Sequence, residues 1–248
     1  MKLPQNGSGR PRGIESLYPF LFAPQEDGGG VTEEVRRSTR EKALEIVAIR
    51  DRLAVGLETR LTECARALAL RFAKGGRLFA FGNGGSASDA QSVARVFLDP
   101  SAGQPLPAYA LTNDTGVVTA LSNDIGFEVV FARQIAAFAG QGDMAVGLST
   151  SGNSENVVRA LDEAARRGLL TVGFAGYTGG RMAEMDSISY LFVVPSLSVH
   201  RIQEAQTTLY HVLWELTQQA LTESSPGDGE QTDRHPRAHP GDQRRPQL

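Results

Sequence analysis

The chain has 248 residues, 41% of them hydrophobic and 21% charged, with a formal net charge of −3. That length suits one α/β domain with a full core, and the lack of basic surplus argues against direct nucleic-acid binding through phosphate neutralisation. No apolar run is long enough to span a membrane, and the single cysteine, Cys64, excludes an intrachain disulfide or a Cys-rich zinc site.

Residues 1–30 are rich in Gly, Pro and polar residues and read as a disordered extension. Its short apolar patch, Tyr18 to Phe22, is interrupted by Pro19 and is too short for the core of a signal peptide; a docking peptide is its alternative reading. Apolar spacing predicts a long helix from Glu33 to Ala73, broken once, with Cys64 as a small hydrophobe on its buried face. A strand is predicted at Arg77 to Phe81, a turn at Gly82 to Ser86 and a helix from Ala87 to Leu98. Further strands are expected at Ala108–Leu111, Met144–Leu148, Leu170–Phe174 and Ile188–Val194. Helices are expected at Val117–Leu121, Phe127–Ala139, Glu155–Arg167 (ended by Gly168) and Val199–Leu221. Residues 223–248 are almost free of apolar side chains and read as a disordered tail. Its His235 and His239 are four apart, but Pro236 and Pro240 forbid the helix that would pair them on a metal.

Short apolar strands alternating with helices predict an α/β three-layer sandwich around a central, mainly parallel five-stranded sheet, with an added long N-terminal helix. Ligands of such sheets bind beyond the carboxyl ends of the strands. Two loops there have suitable chemistry. Gly82-Asn83-Gly84-Gly85-Ser86 precedes a helix whose free N–H groups and positive dipole end favour an anion. Ser149-Thr150-Ser151-Gly152-Asn153-Ser154 offers four hydroxyls at another helix start, able to cap it or to donate to phosphate oxygens. Neither loop has the lysine of a nucleotide P-loop. Gly82 to Ala87 also satisfies G-x-G-x-x-A, with Asp114 as the acidic partner of a dinucleotide site. In that reading the second hydroxyl loop has no role; a terminal phosphate monoester uses both.

On these residues the chain resembles the sugar isomerase (SIS) domain proteins, and among them the phosphoheptose isomerases, which act on sedoheptulose 7-phosphate. The shared features are GNGGS (Gly82 to Ser86), Asn113-Asp114, SNDIGF (Ser122 to Phe127), STSGNS (Ser149 to Ser154) and RIQE (Arg201 to Glu204), over roughly residues 35–222. The resemblance implies a flavodoxin-like SIS domain over residues 31–222, a cytoplasmic homotetramer, and a phosphorylated sugar as ligand. It also implies substrate contacts at Asn83, Gly84, Gly85, Ser86, Asn113, Asp114, Ser149, Thr150, Ser151, Ser154 and Gln203, with His211 as a catalytic residue.

Departures from the family pattern concern the chemistry. The isomerases carry a His and a Glu on the helix after the first loop, which bind zinc together with the equivalents of Gln203 and His211; here those positions are Ser92 and Val96. An aspartate before RIQE is His200. With two of four ligands matched, no metal or cofactor is expected. Aldose–ketose isomerisation needs a base near C1–C2 and an acid near the oxygens. His211 is a candidate for one, and Asp89, Asp114 and His200 for the other. The DnaA-initiator-associating proteins, a related branch, also lack the catalytic Glu, so a non-catalytic sugar-phosphate sensor or a protein-binding scaffold is the alternative function.

Overall fold

The computed structural model describes residues 28–224. The expectations for the Tyr18–Phe22 patch, for His235 and His239 and for most of both tails lie outside the described residues.

Helix α1 (Gly28–Ala73) is a single α-helix of 46 residues. The break expected from its length does not occur. The stretch from 25 to 99 has no proline, and Gly56 faces open space, where a helical glycine costs only ~1 kcal/mol. The helix also begins at Gly28, inside the glycine run expected to belong to the extension. From Ile46 onward it buries Ile49, Leu53, Leu61, Leu68 and Phe72, a three-and-four spacing that keeps one stripe against the domain. Cys64 is fully buried on that stripe, and burial pushes its thiol pKa up, so it is held as an unreactive thiol.

The remaining elements are β1 (Leu78–Gly82), α2 (Gly85–Leu98), β2 (Ala108–Ala110), α3 (Thr115–Asp124), α4 (Val130–Phe138), β3 (Met144–Ser149), α5 (Glu155–Arg166), β4 (Leu170–Gly176), β5 (Tyr190–Val194) and α6 (Val199–Ser224). Two 3-10 turns, Phe127–Val129 and Gly180–Glu184, complete them; the first replaces the opening turn of the helix expected from Phe127. The five strands form one sheet in the order β2-β1-β3-β4-β5, and every pairing is parallel.

The pleat sends alternate residues of each strand to opposite faces. Leu78 and Ala80 join a core with α1, α2 and α6; Phe79 and Phe81 join a second core with α4 and α5. The α2 crossover therefore lies on one face, and α4 and α5 lie on the other. The chain leaves β1 toward one edge and β3 toward the other, so the crevice at their carboxyl ends is the topological switch point. Helix α6 runs beside α1 in the same direction. Near its start Arg201 pairs with Glu45 at 3.2 Å, and further on Leu216 and Leu61 line one groove.

Candidate functional site

Both sequence-selected loops meet at that crevice. Strand β1 ends at Gly82, where a Cβ would come within 2.6 Å of the Ser86 carbonyl oxygen and 2.9 Å of that of Leu148. Only glycine lets the turn lie this close to β3. Gly84 and Gly85 are exposed at the start of α2, with Gly84 at φ 56°, while Ser86 is buried beneath them.

Asn83 does not point free into the crevice. Its amide and that of Asn156 exchange two hydrogen bonds, Asn83 Nδ2 donating at 2.7 Å and Asn156 Nδ2 at 2.9 Å. Asn156, in the first turn of α5, is buried. The pair bolts the β1 loop to the β3 loop, a role that needs both loops in place and left no local pattern to read. Replacing Asn83 with Ala orphans a buried amide and should cost about 1–3 kcal/mol. Chemical denaturation reads this as a lowered midpoint with an unchanged slope; an unchanged midpoint would mean that the bolt carries no energy.

The second loop is a closed set of hydroxyls. Ser149 Oγ donates to Ser154 Oγ at 2.9 Å and lies 3.5 Å from Ser151 Oγ, which accepts from the Asn153 amide at 3.2 Å. Ser154 stands at the N-cap of α5 but makes no side-chain cap bond. Asp114, by contrast, caps α3 in the ordinary way, accepting from the Val117 amide at 3.0 Å. So the hydroxyls do not cap α5, as the sequence allowed; they leave its first N–H groups to an incoming acceptor.

A turn that the sequence did not single out holds this loop from behind. Gly176 donates its amide to the Thr150 carbonyl at 2.9 Å, Met182 to the Gly152 carbonyl at 3.1 Å, and Arg181 to Asn153 Oδ1 at 2.9 Å. The Arg181 guanidinium pairs with Glu155, the first residue of α5, which also pairs with Arg159. The two arginines hold the Glu155 carboxyl below its ordinary pKa range and offset its negative charge beside the hydroxyls.

The first turn of α6 closes the crevice with the RIQE run. Arg201 is buried and pairs with Glu45 and, at 2.6 Å, with Glu204. Ile202 is fully buried and occupies the space that the missing Gly176 Cβ leaves. Gln203 lies so close to Gly85 that a Cβ there would be 2.1 Å from its Nε2. The same Nε2 reaches Asp89 Oδ2 on α2 at 3.4 Å. Burial raises the Asp89 carboxyl to about 6, against the opposing effect of that hydrogen bond. A carboxyl in that range can take and return a proton near neutral pH.

The structure therefore brings Asn83 to Ser86, Ser149 to Ser154, Gln203 and Asp89 to one crevice. Asn113 and Asp114 stand instead at the end of edge strand β2, where they line a cavity of about 610 Å³ with Arg95, Tyr109 and Phe138. His200 is exposed at the start of α6. His211 is exposed two turns past Gln203, stacked on Tyr210, with ring centroids 5.2 Å apart.

Zinc does not fit these donors. Ser92 Oγ donates to the Ser88 carbonyl at 3.1 Å, and Val96 packs against the α1–α6 core. Among the described residues no three His, Cys, Asp or Glu side chains gather to hold a metal ion. Nor is any helix there long and apolar enough to cross a membrane.

Comparison with known proteins identifies the family to which the fold belongs. The SIS domain family model matches residues 43–176. A phosphoheptose isomerase of Aquifex aeolicus (strain VF5) is 42% identical over 195 residues, covering 78% of this chain and 99% of that protein. Another, from Nitratidesulfovibrio vulgaris (strain Hildenborough), is 43% identical, covering 78% and 93%. Among solved structures, the phosphoheptose isomerase of Neisseria gonorrhoeae superposes with a TM-score of 0.70 at 33% identity, covering 75% of this chain and 99% of that one.

Proposed function

Because this chain belongs to the SIS domain family and is phosphoheptose isomerase-like within it, we propose that it binds a phosphorylated C6 or C7 sugar in the β1–β3 crevice and interconverts its ketose and aldose forms. The observation that carries this reading is the uncapped start of α5 among three linked serine hydroxyls. It offers backbone N–H donors, hydroxyl donors and the positive end of a helix dipole to one terminal phosphate. Sedoheptulose 7-phosphate, named for the family by resemblance, is the first substrate to test.

With the phosphate on that loop, the sugar chain extends toward Gly85, Gln203 and Asp89. Asp89 takes the proton from C1 of the ketose, the electrons form an enediol, and the proton returns to C2 to give the aldose. The hydroxyl proton moves from O1 to O2 in the same cycle, so the reaction balances without a redox partner. No step uses a metal. Gln203 donates to the ionised Asp89 and holds it in place. His211 lies eight residues further along α6, about 12 Å at 1.5 Å per residue. Its exposure suits a role at a contact between copies, in the homotetramer that the family resemblance implies, within the cytoplasm.

A second reading, a sugar-phosphate sensor or scaffold without turnover, draws on Ser92 and Val96, which supply neither a metal ligand nor a proton carrier. One experiment separates the two: EDTA-treated protein with sedoheptulose 7-phosphate, followed by NMR for product and by thermal shift for binding. Ligand at 100 times Kd adds ~2.7 kcal/mol of stability. Product without metal supports the isomerase; a thermal shift without product supports the sensor; neither signal sinks this substrate.

A further inference from the structure

The turn behind the phosphate loop holds the only non-glycine residue at positive φ among the described residues, Tyr177 at 53°. Gly179 donates its amide to the Gly176 carbonyl at 2.8 Å, closing a four-residue turn with Tyr177 at its first central position. Thr178, at the second, has no positive φ. That is the pattern of a II′ turn, in which the first central position belongs by preference to glycine. A bulky ring there is disfavoured by the backbone, and strained residues of this kind gather at ligand sites.

The turn cannot relax elsewhere. It is fastened to the hydroxyl loop through Gly176, Arg181 and Met182. A Cβ on Gly180 would lie 2.4 Å from the Ser151 carbonyl oxygen, so the two backbones are in direct contact. Strand β4 neighbours β3, which puts Tyr177 beside the crevice. The ring is partly buried against the core that includes Ile202, the neighbour of Gln203. Its hydroxyl has no hydrogen-bond partner among the described residues, and it is not one of the buried unpartnered atoms. Tyr177 thus follows the end of β4 in the turn that backs the hydroxyl loop, its ring on the side of the sheet whose core includes Ile202 and its polar tip left to donate.

We propose that Tyr177 is a specificity-determining residue, its ring walling the β4 side of the crevice and touching the sugar of the bound sugar phosphate rather than the phosphate. The assignment rests on the phosphosugar reading above. It gives a reason for tyrosine where the turn prefers glycine: an aromatic face packs on the C–H groups of a sugar chain and the hydroxyl bonds to one of its oxygens.

The test compares inorganic phosphate with sedoheptulose 7-phosphate on the full chain, by calorimetric titration, for the unmodified protein, Tyr177→Gly and Tyr177→Phe. Tyr177→Gly suits the turn, so its melting temperature should be equal or higher. Its affinity for the sugar phosphate should fall at least tenfold while that for inorganic phosphate stays within twofold. Tyr177→Phe keeps the ring and should lose about threefold for the sugar phosphate alone. Unchanged sugar-phosphate affinity in both variants overturns the assignment. So does a parallel loss for both ligands with a falling melting temperature, which marks a purely structural turn. If the unmodified protein binds inorganic phosphate but not the sugar phosphate, the phosphosugar reading fails first and Tyr177 with it.

Discussion

Replacing Asp89 with asparagine is expected to slow isomerisation by ~10²–10⁴, the usual effect of removing a positioned acid/base, while making the protein more stable at alkaline pH. The two effects share one cause. Burial beside Gln203 raises the Asp89 carboxyl to about 6, from an ordinary value of 3.8. The folded state therefore holds a proton that the unfolded chain releases as pH rises through that interval. Between those values stability declines with rising pH, because the native state binds more protons than the unfolded one. Below the lower value both states are protonated and the carboxyl contributes no slope. Above about 6 the penalty of the partly buried charge remains, about 1–2 kcal/mol once solvent screening is allowed for. Asparagine keeps the shape and removes the charge, so at pH 8 its melting temperature should rise by roughly 5 °C. At pH 4 the two proteins should melt together. In the unmodified protein kcat/KM should fall on the acid side of pH 6, because the base must be ionised. A variant that keeps full activity, or an acid limb that Asp89→Asn leaves in place, removes Asp89 from the chemistry.

Gly152→Ala should abolish tight sugar-phosphate binding, with a loss of at least ~100-fold, equivalent to about 3 kcal/mol. Gly152 sits at φ 67°, and a Cβ there would lie 1.9 Å from the Gly179 carbonyl oxygen and 2.5 Å from its carbon. Those atoms are backbone, fastened to the loop by the hydrogen bonds of Gly176 and Met182. Relief requires the hydroxyl loop to move away from the turn, which scatters Ser149, Ser151 and Ser154. The strain and the lost contacts should also lower stability by about 2–4 kcal/mol. Gly75→Ala is the control. Gly75, just past the end of α1 and outside the crevice, has φ 83° but open space around its Cβ position, so only the ordinary left-handed penalty of ~1–2 kcal/mol applies. If both alanines behave alike, the close approach of the turn to the loop does not govern binding.

Several parts of this molecule were legible along the chain because they depend on near neighbours. Strand and helix periods, the glycines of the β1 loop and the hydroxyls of the β3 loop are local patterns that the backbone must obey wherever it lies. The rule that ligands lie beyond strand ends then pointed to both loops together. Where local reading failed, a distant contact or its absence decided. The long helix stays whole since no proline interrupts it and a lone exposed glycine is a small cost. Of the two roles open to Ser154 in the sequence, the structure leaves out the cap: its hydroxyl accepts from Ser149, at the end of β3.

What the sequence by itself determined is the class of fold, the positions of the two anion-ready loops and the presence of serine and valine at positions 92 and 96. Only the tertiary structure decided that Asn83 spends its amide on Asn156, that Asp89 is the carboxyl raised toward neutrality, and that the Tyr177 turn supports the hydroxyl loop. The physical reason is the same in each case. A side chain's partner, its burial and its proton affinity are set by groups 28 to 114 positions away, as in the Asn153–Arg181 and Gln203–Asp89 contacts. Those groups become neighbours only when the parallel sheet brings its strand ends to one edge.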